Sequence, residues 1–147
     1  MKHQSSIPLL TQHNQVQLAR LAYLTEYSQQ VQDNQVKPAL ALAIEDTQEA
    51  IARVSSRLRQ LGEAPGRLLD DANEKLIRQA RTRRGLADKL KFVQNGLQFQ
   101  LEWYEARVKD VADDADTQAI LVALAEQTRV RLDRWDRLMR EMKVPPD

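Results

Sequence analysis

The stretch LADKLKFVQNGLQFQLEWYEARVKDV, residues 86–111, decides how this chain folds. Leu86, Leu90, Val93, Leu97, Leu101, Tyr104, Val108 and Val111 recur at steps of three or four residues. That spacing keeps one face of an α-helix apolar over about seven turns. Gln94, Asn95, Gly96 and Gln98 interrupt the stripe near its middle. A long helix with amides and a glycine at its midpoint must meet something polar there, and the neighbouring segments supply it.

Working outward, the segment before this stretch is polar and basic, and the segment after it is an acidic corner, Asp113-Asp114-Ala115-Asp116. Asp116 is expected to cap a final helix running to about Met142, with Leu121, Leu124, Thr128, Leu132, Trp135, Met139 and Met142 inward. Val144-Pro145-Pro146 then closes the chain. Upstream, Leu40, Ile44, Thr47, Ile51, Val54, Leu58 and Leu61 predict a helix over about Val36–Leu61, stopped by Gly62 and Ala64-Pro65-Gly66.

The first helix is expected over about Pro8–Gln32, capped by Ser6, with Leu10, Asn14, Gln17, Leu21, Leu24, Ser28 and Val31 inward. Residues 1–7 read as a frayed tail. Asp33-Asn34-Gln35 makes a short turn before Pro38. Leu68, Leu69, Ala72, Leu76 and Ile77 form a weaker stripe, which predicts a short helix inside a long connection. The expected fold is all-α: one domain over residues 1–147, an antiparallel four-helix bundle with a long crossover between its second and third long helices.

Composition agrees. Of 147 residues 29% are charged and 5% aromatic, with four glycines. A net charge of +1 gives no global field to recruit nucleic acid or a membrane. The absence of cysteine removes disulfides, thiol nucleophiles and thiolate metal sites together. No apolar run suits a leader or a membrane span, so a cytoplasmic location is expected. No Gly-rich phosphate loop or nucleophile–base set is present, so no catalytic residue and no cofactor is assigned and a non-enzyme is expected.

The middles of the helices carry Gln17, Thr47, Gln94, Gln98, Gln127 and Thr128. Helix midpoints in an up-and-down bundle share one level, so these residues are expected in one polar layer. Gln17, Thr47, Gln94 and Thr128 are expected to be linked there by hydrogen bonds.

At this point the chain resembles the ferritin-like four-helix bundles, above all the small bacterial ferritin-like proteins of unknown function. The likeness spans about Pro8 to Met142. It is carried by Val36-Lys37-Pro38-Ala39-Leu40, by Ile44-Glu45-Asp46-Thr47 through Leu61-Gly62-Glu63-Ala64-Pro65, and by the crossover. Such proteins hold a di-iron centre with one Glu from each of two helices and a Glu-x-x-His pair from each of the others. Here the pairs are Glu45-x-x-Gln48 and Glu126-x-x-Arg129, and Gln17 and Gln94 stand where single carboxylates belong.

The resemblance therefore implies a bundle without an intact di-metal site, in a stress-related or partner-binding role; a chain acting through its surface in this way is expected to form a homodimer. The alternative is a di-iron or manganese protein using Glu45, Glu126, Gln17 and Gln94. A second alternative is binding of nucleic acid or an acidic partner by Lys75, Arg78, Arg81, Arg83, Arg84, Lys89 and Lys91, which face only Glu74 and Asp88 in that segment. A solvated crossover is the plainer reading of that patch.

His3 and His13 lie near the N-terminus, and His13 reads as a solvated helix residue rather than a ligand. Of the adjacent Trp103 and Tyr104, one is expected in the core and the other exposed, a possible self-association surface. Glu102 and Glu105 read as surface charges.

Overall fold

The computed structural model describes residues 5–66 and 68–145. They form five α-helices and one 3-10 turn, with no strand among the described residues: α1 Ser6–Gln30, α2 Val36–Gln60, α3 Asp71–Arg81, α4 Gly85–Val108, the turn Lys109–Val111 and α5 Ala115–Glu141. The chain is all-helical, as expected. Among the described residues no helix is long and apolar enough to cross a membrane. Residues 1–4, most of the expected tail including His3, and Pro146 lie outside the described residues.

The ends of the helices follow from local chemistry. Ser6 is not the cap of α1 but its first residue; its Oγ donates to Asp114 Oδ2 at 2.8 Å, so the tail ends before Ser6. The helix stops short of Gln32. Asp33 Oδ1 accepts the backbone N–H groups of Gln35 (2.8 Å) and Val36 (3.0 Å), which draws the chain into the turn.

Gly62 ends α2 at φ 86°, with Glu63 N–H donating to Leu58 O and Gly62 N–H to Arg59 O. This is the paired-bond terminus that a left-handed residue closes. The same pair of bonds ends α5, from Val144 to Met139 and from Lys143 to Arg140, but there the left-handed residue is Lys143 at φ 58°.

The acidic corner is capped by Asp114, whose side chain accepts Thr117 N–H, and not by Asp116, which is exposed. The α-helical part of α4 gives way at Val108 to the 3-10 turn, earlier than Ala112.

α1 packs on α2, α4 on α5, α2 on α5, and α3 on α1. Two apolar clusters result. One gathers Tyr27, Val36, Leu40, Leu90, Trp135 and Met139. The other gathers Leu10, Val54, Leu58, Tyr104, Leu121 and Leu124. Trp135 Nε1–H donates to Leu90 O at 2.9 Å, fixing α5 to α4, and Tyr27 Oη donates to Ala80 O at 2.6 Å, seating the end of α3 on α1.

The buried face of α2 is Leu40, Ala43, Thr47, Ala50, Val54 and Leu58; Ile44, Ile51 and Leu61 are only half-buried. On α3 the inward residues are Asn73, Ile77 and Ala80, while Leu68 is 86% exposed. Asp70 caps that helix through Asn73 N–H at 2.9 Å, which sets its rotation.

Candidate functional site

The polar interruption of the helices is built from α1 outward. His13, Gln17 and Arg20 follow one another at about one helical turn, Asn14 stands next to His13, and all four are buried. Their partners on α4 stand at matching four-residue steps: Tyr104, Gln100 and Gly96. His13 Nε2 lies 2.6 Å from Tyr104 Oη. Gln17 Nε2 donates to Gln100 Oε1 at 3.0 Å. The Arg20 guanidinium donates to Gln100 Oε1 and, at 2.5 Å, to Gly96 O.

From Gln100 the network crosses to α5, where Nε2 donates to Thr128 Oγ1 at 2.8 Å. Thr128 Oγ1 in turn donates to Leu124 O. From Asn14 it crosses to α2, where Nδ2 donates to Ser55 Oγ at 3.0 Å. All four long helices are thus tied by side-chain hydrogen bonds at one level.

These bonds fix the protonation of His13. Asn14 Nδ2 is spent on Ser55, so Asn14 Oδ1 accepts from His13 Nδ1–H at 2.9 Å. His13 Nε2 then accepts the Tyr104 hydroxyl. Burial lowers the His13 pKa to about 4; the Asn14 bond opposes this, and the Arg20 charge adds to it. Burial likewise raises the Tyr104 and Tyr23 hydroxyls above the ordinary tyrosine value, with Arg20 opposing in both cases. The ring is a neutral, enclosed member of the core, contrary to the solvated position expected for it. Trp103 packs on it, ring centroids 5.8 Å apart, and is half-buried, while Tyr104 is fully buried.

The layer surrounds a cavity of about 30 Å³ lined by Arg20, Tyr23, Thr47, Gln100, Tyr104 and Thr128, among others. That is room on the order of one water molecule. Gln17 Oε1 and Arg20 Nε are buried with no hydrogen-bond partner. No carboxylate pairs with Arg20 among the described residues; its charge is held by neutral oxygens.

The expected members of the layer divide. Gln17 and Thr128 meet through Gln100, with Thr47 close by on the cavity wall but bonded to Ala43 O. Gln94 turns aside and donates to Asp136 at 2.6 Å. Gln98 is exposed, because its position in the turn of α4 faces away from α1 and α5. Gln127 reaches the edge, donating to Asp46 at 3.1 Å, and Asp46 also accepts from Arg131 at 2.5 Å.

Arg20 and Gln100 are the residues that sequence reasoning missed. The signal was present: Arg20 follows Gln17 by three residues and Gln100 follows Gly96 by four, so each extends a stripe already under suspicion. An arginine on an otherwise buried face reads by default as surface, and that default hid it.

The residues that would hold a di-metal centre are not brought together. Glu45 and Gln48 are exposed on the outer face of α2, and Glu126 is exposed and ion-paired with Arg129. Gln94 is engaged by Asp136, and only Gln17 lies in the layer. A guanidinium sits at the level where two cations would have to be neutralised, so the residues present do not fit the group. Among the described residues no group of three or more His, Cys, Asp or Glu is placed to hold a metal ion.

The basic segment is not one uniform surface. Lys75, Arg78, Arg83 and Arg84 are exposed, and Lys89 and Lys91 are half-buried. Arg81 is ion-paired with Glu26 at 2.9 Å. Lys89 Nζ lies 5.7 Å from the centre of the Tyr27 ring. Glu102 is exposed, and Glu105 pairs with Arg129 at 2.9 Å.

Comparison of the chain with known family models, curated proteins and solved structures finds no match.

Proposed function

We propose that this chain is a non-catalytic helical bundle of ferritin-like arrangement that acts by binding, with a fixed guanidinium in place of a metal at mid-height. Residue partners support the arrangement. On α1 and α4 they run His13–Tyr104, Gln17–Gln100 and Arg20–Gly96; on α4 and α5, Leu90–Trp135 and Gln100–Thr128; on α2 and α5, Asp46–Arg131 and Arg57–Thr117. Numbers rise on one helix as they fall on its partner, the signature of antiparallel neighbours. With α1 antiparallel to both, α2 and α4 run the same way. The link over residues 61–84, with α3 inside it, then serves as the crossover.

The observation that carries the functional reading is Arg20. The residue is 5% exposed, and its guanidinium is held by Gln100 and the Gly96 carbonyl rather than by an acid. A permanent cation in the middle of the bundle repels the metal that the architecture would otherwise hold.

Elemental analysis of protein purified without chelator tests this, together with competition by added iron or manganese. Less than one metal in ten chains, unchanged on adding either ion, is the expected result, on the order of background occupancy. One or two ions per chain would overturn it and would return Glu45 and Glu126 to the role of ligands.

A further inference from the structure

α3 rests on α1 and leaves a gap to α4. The gap is a groove of about 490 Å³, within the size range of small-molecule sites. Arg20 and Tyr23 of α1 form its floor. Leu76 of α3 and Phe92 and Phe99 of α4 supply apolar wall, and Phe99 is 61% exposed. The charge of the lining is one-sided: Arg20, Lys75 and Arg83 contribute, and no aspartate or glutamate does. Lys75 and Arg83 make no ion pair among the described residues.

Arg83 is pre-positioned. Its guanidinium carbon stands 4.9 Å over the centre of the Phe92 ring, which holds the charge against the apolar wall. Arg20, whose Nε is a buried donor without a hydrogen-bond partner, lines the same groove. Gly96 lets α4 approach that floor: a Cβ there would come within 2.8 Å of Tyr23 Oη and 3.7 Å of Arg20 Nε.

We propose that this groove binds a small organic anion with a flat apolar body, the body on Phe92 and Phe99 and the acid group toward Lys75 and Arg83. Three cations without a carboxylate select an anion over a neutral or cationic guest. Two aromatic side chains with an exposed face select a ring system over a sugar or an inorganic ion. The groove shares Arg20 with the mid-height layer, but Lys75, Arg83 and Phe99, on which the test acts, take no part in the hydrogen bonds of that layer.

The test uses the full chain and two fluorescent probes of similar shape, anilinonaphthalene sulfonate, an anion, and phenylnaphthylamine, its neutral counterpart. Calorimetric titration should give one sulfonate per chain, with affinity falling as salt is added. Replacing both exposed cations, Lys75→Gln with Arg83→Gln, should weaken the sulfonate about tenfold and leave phenylnaphthylamine nearly unchanged, as expected for lost charge-assisted hydrogen bonds. Circular-dichroism melts confirm that the variant folds.

Failure of the sulfonate to bind overturns the proposal. So does equal binding of the two probes to wild type and variant, which would mark an apolar patch only. A dimer that excludes both probes and becomes monomeric on Phe99→Ser would show a second copy of the chain to be the occupant instead.

Discussion

At the scale of single residues, His13 and Gly96 show how much hangs on the polar layer. The His13 pKa falls from 6.5 to about 4 on folding. The unfolded chain therefore binds the proton more tightly than the folded one. The stabilisation is fully present above pH 6.5 and is lost as pH falls from there through about 4. A shift of that size corresponds to about 3 kcal/mol. Urea denaturation at a series of pH values should show stability dropping across this window in wild type and a flatter profile in His13→Gln; identical slopes would mean that His13 titrates freely. Gly96→Ala sets two effects against each other. Helix propensity favours alanine by about 1 kcal/mol, whereas overpacking against the buried Tyr23 hydroxyl costs about 1–3 kcal/mol. Net destabilisation is expected, reversed in a Tyr23→Phe background, with denaturation midpoints as the measurement. Neither residue's role was legible in the sequence. A histidine near a chain terminus has no periodic signature beyond its stripe, and whether a glycine in a helix meets open space or a hydroxyl is decided by a partner more than 70 residues away.

At the scale of elements, the helices were legible and their rotations were less so. The three-four stripes located all four long helices to within a few residues, because burial of one face is written directly into spacing. The inward face of α2 was read through Ile44 and Ile51, yet both are half-buried, and Ala43 and Ala50 point inward instead. Small residues face α1 and α5 there, and the larger isoleucines flank the contact. Hence Leu58→Ala, 1% exposed, should cost about 2–5 kcal/mol, and Ile51→Ala less than half as much. Thermal melts of the two variants give the comparison; equal losses would put Ile51 back at the centre of the face. Gly62 ends α2 as expected, whereas two N-terminal caps fall elsewhere. Serine and aspartate were recognised as terminus residues, but Ser6 and Asp116 yielded to Asp114, since one carboxylate with several donors outcompetes each local choice.

At the scale of the whole molecule, that carboxylate joins what the loops do not. Asp114 accepts from Ser6 on α1 at 2.8 Å, from Arg57 on α2 at 2.8 Å and from Thr117 on its own helix at 2.5 Å. Burial alone would raise its pKa, but the bonds from Thr117, Ser6 and Arg57 outweigh burial and lower it to about 2. Its contribution is present above the ordinary value of 3.8 and is lost as pH falls toward 2, below the range in which His13 acts. Acid should therefore loosen the molecule in two stages, the centre of the bundle first and its end second.

The Asp114 knot also has a meaning in time. Ser6 and Asp114 are 108 positions apart, and Arg57 and Asp114 are 57 apart, so each contact closes a long loop, and the Ser6 bond spans most of the chain. A bond made last is absent from the folding transition state and acts as a latch on the way out. Asp114→Ala leaves the buried Arg57 only its longer ion pair with the exposed Asp116, 3.9 Å away, at a cost of about 3–5 kcal/mol. In stopped-flow experiments nearly all of that loss should appear as faster unfolding, with the refolding rate little changed. Slowed refolding would place the knot among the first contacts made. The carboxylate that looked like one more charge in an acidic corner would then set how long the folded molecule lasts.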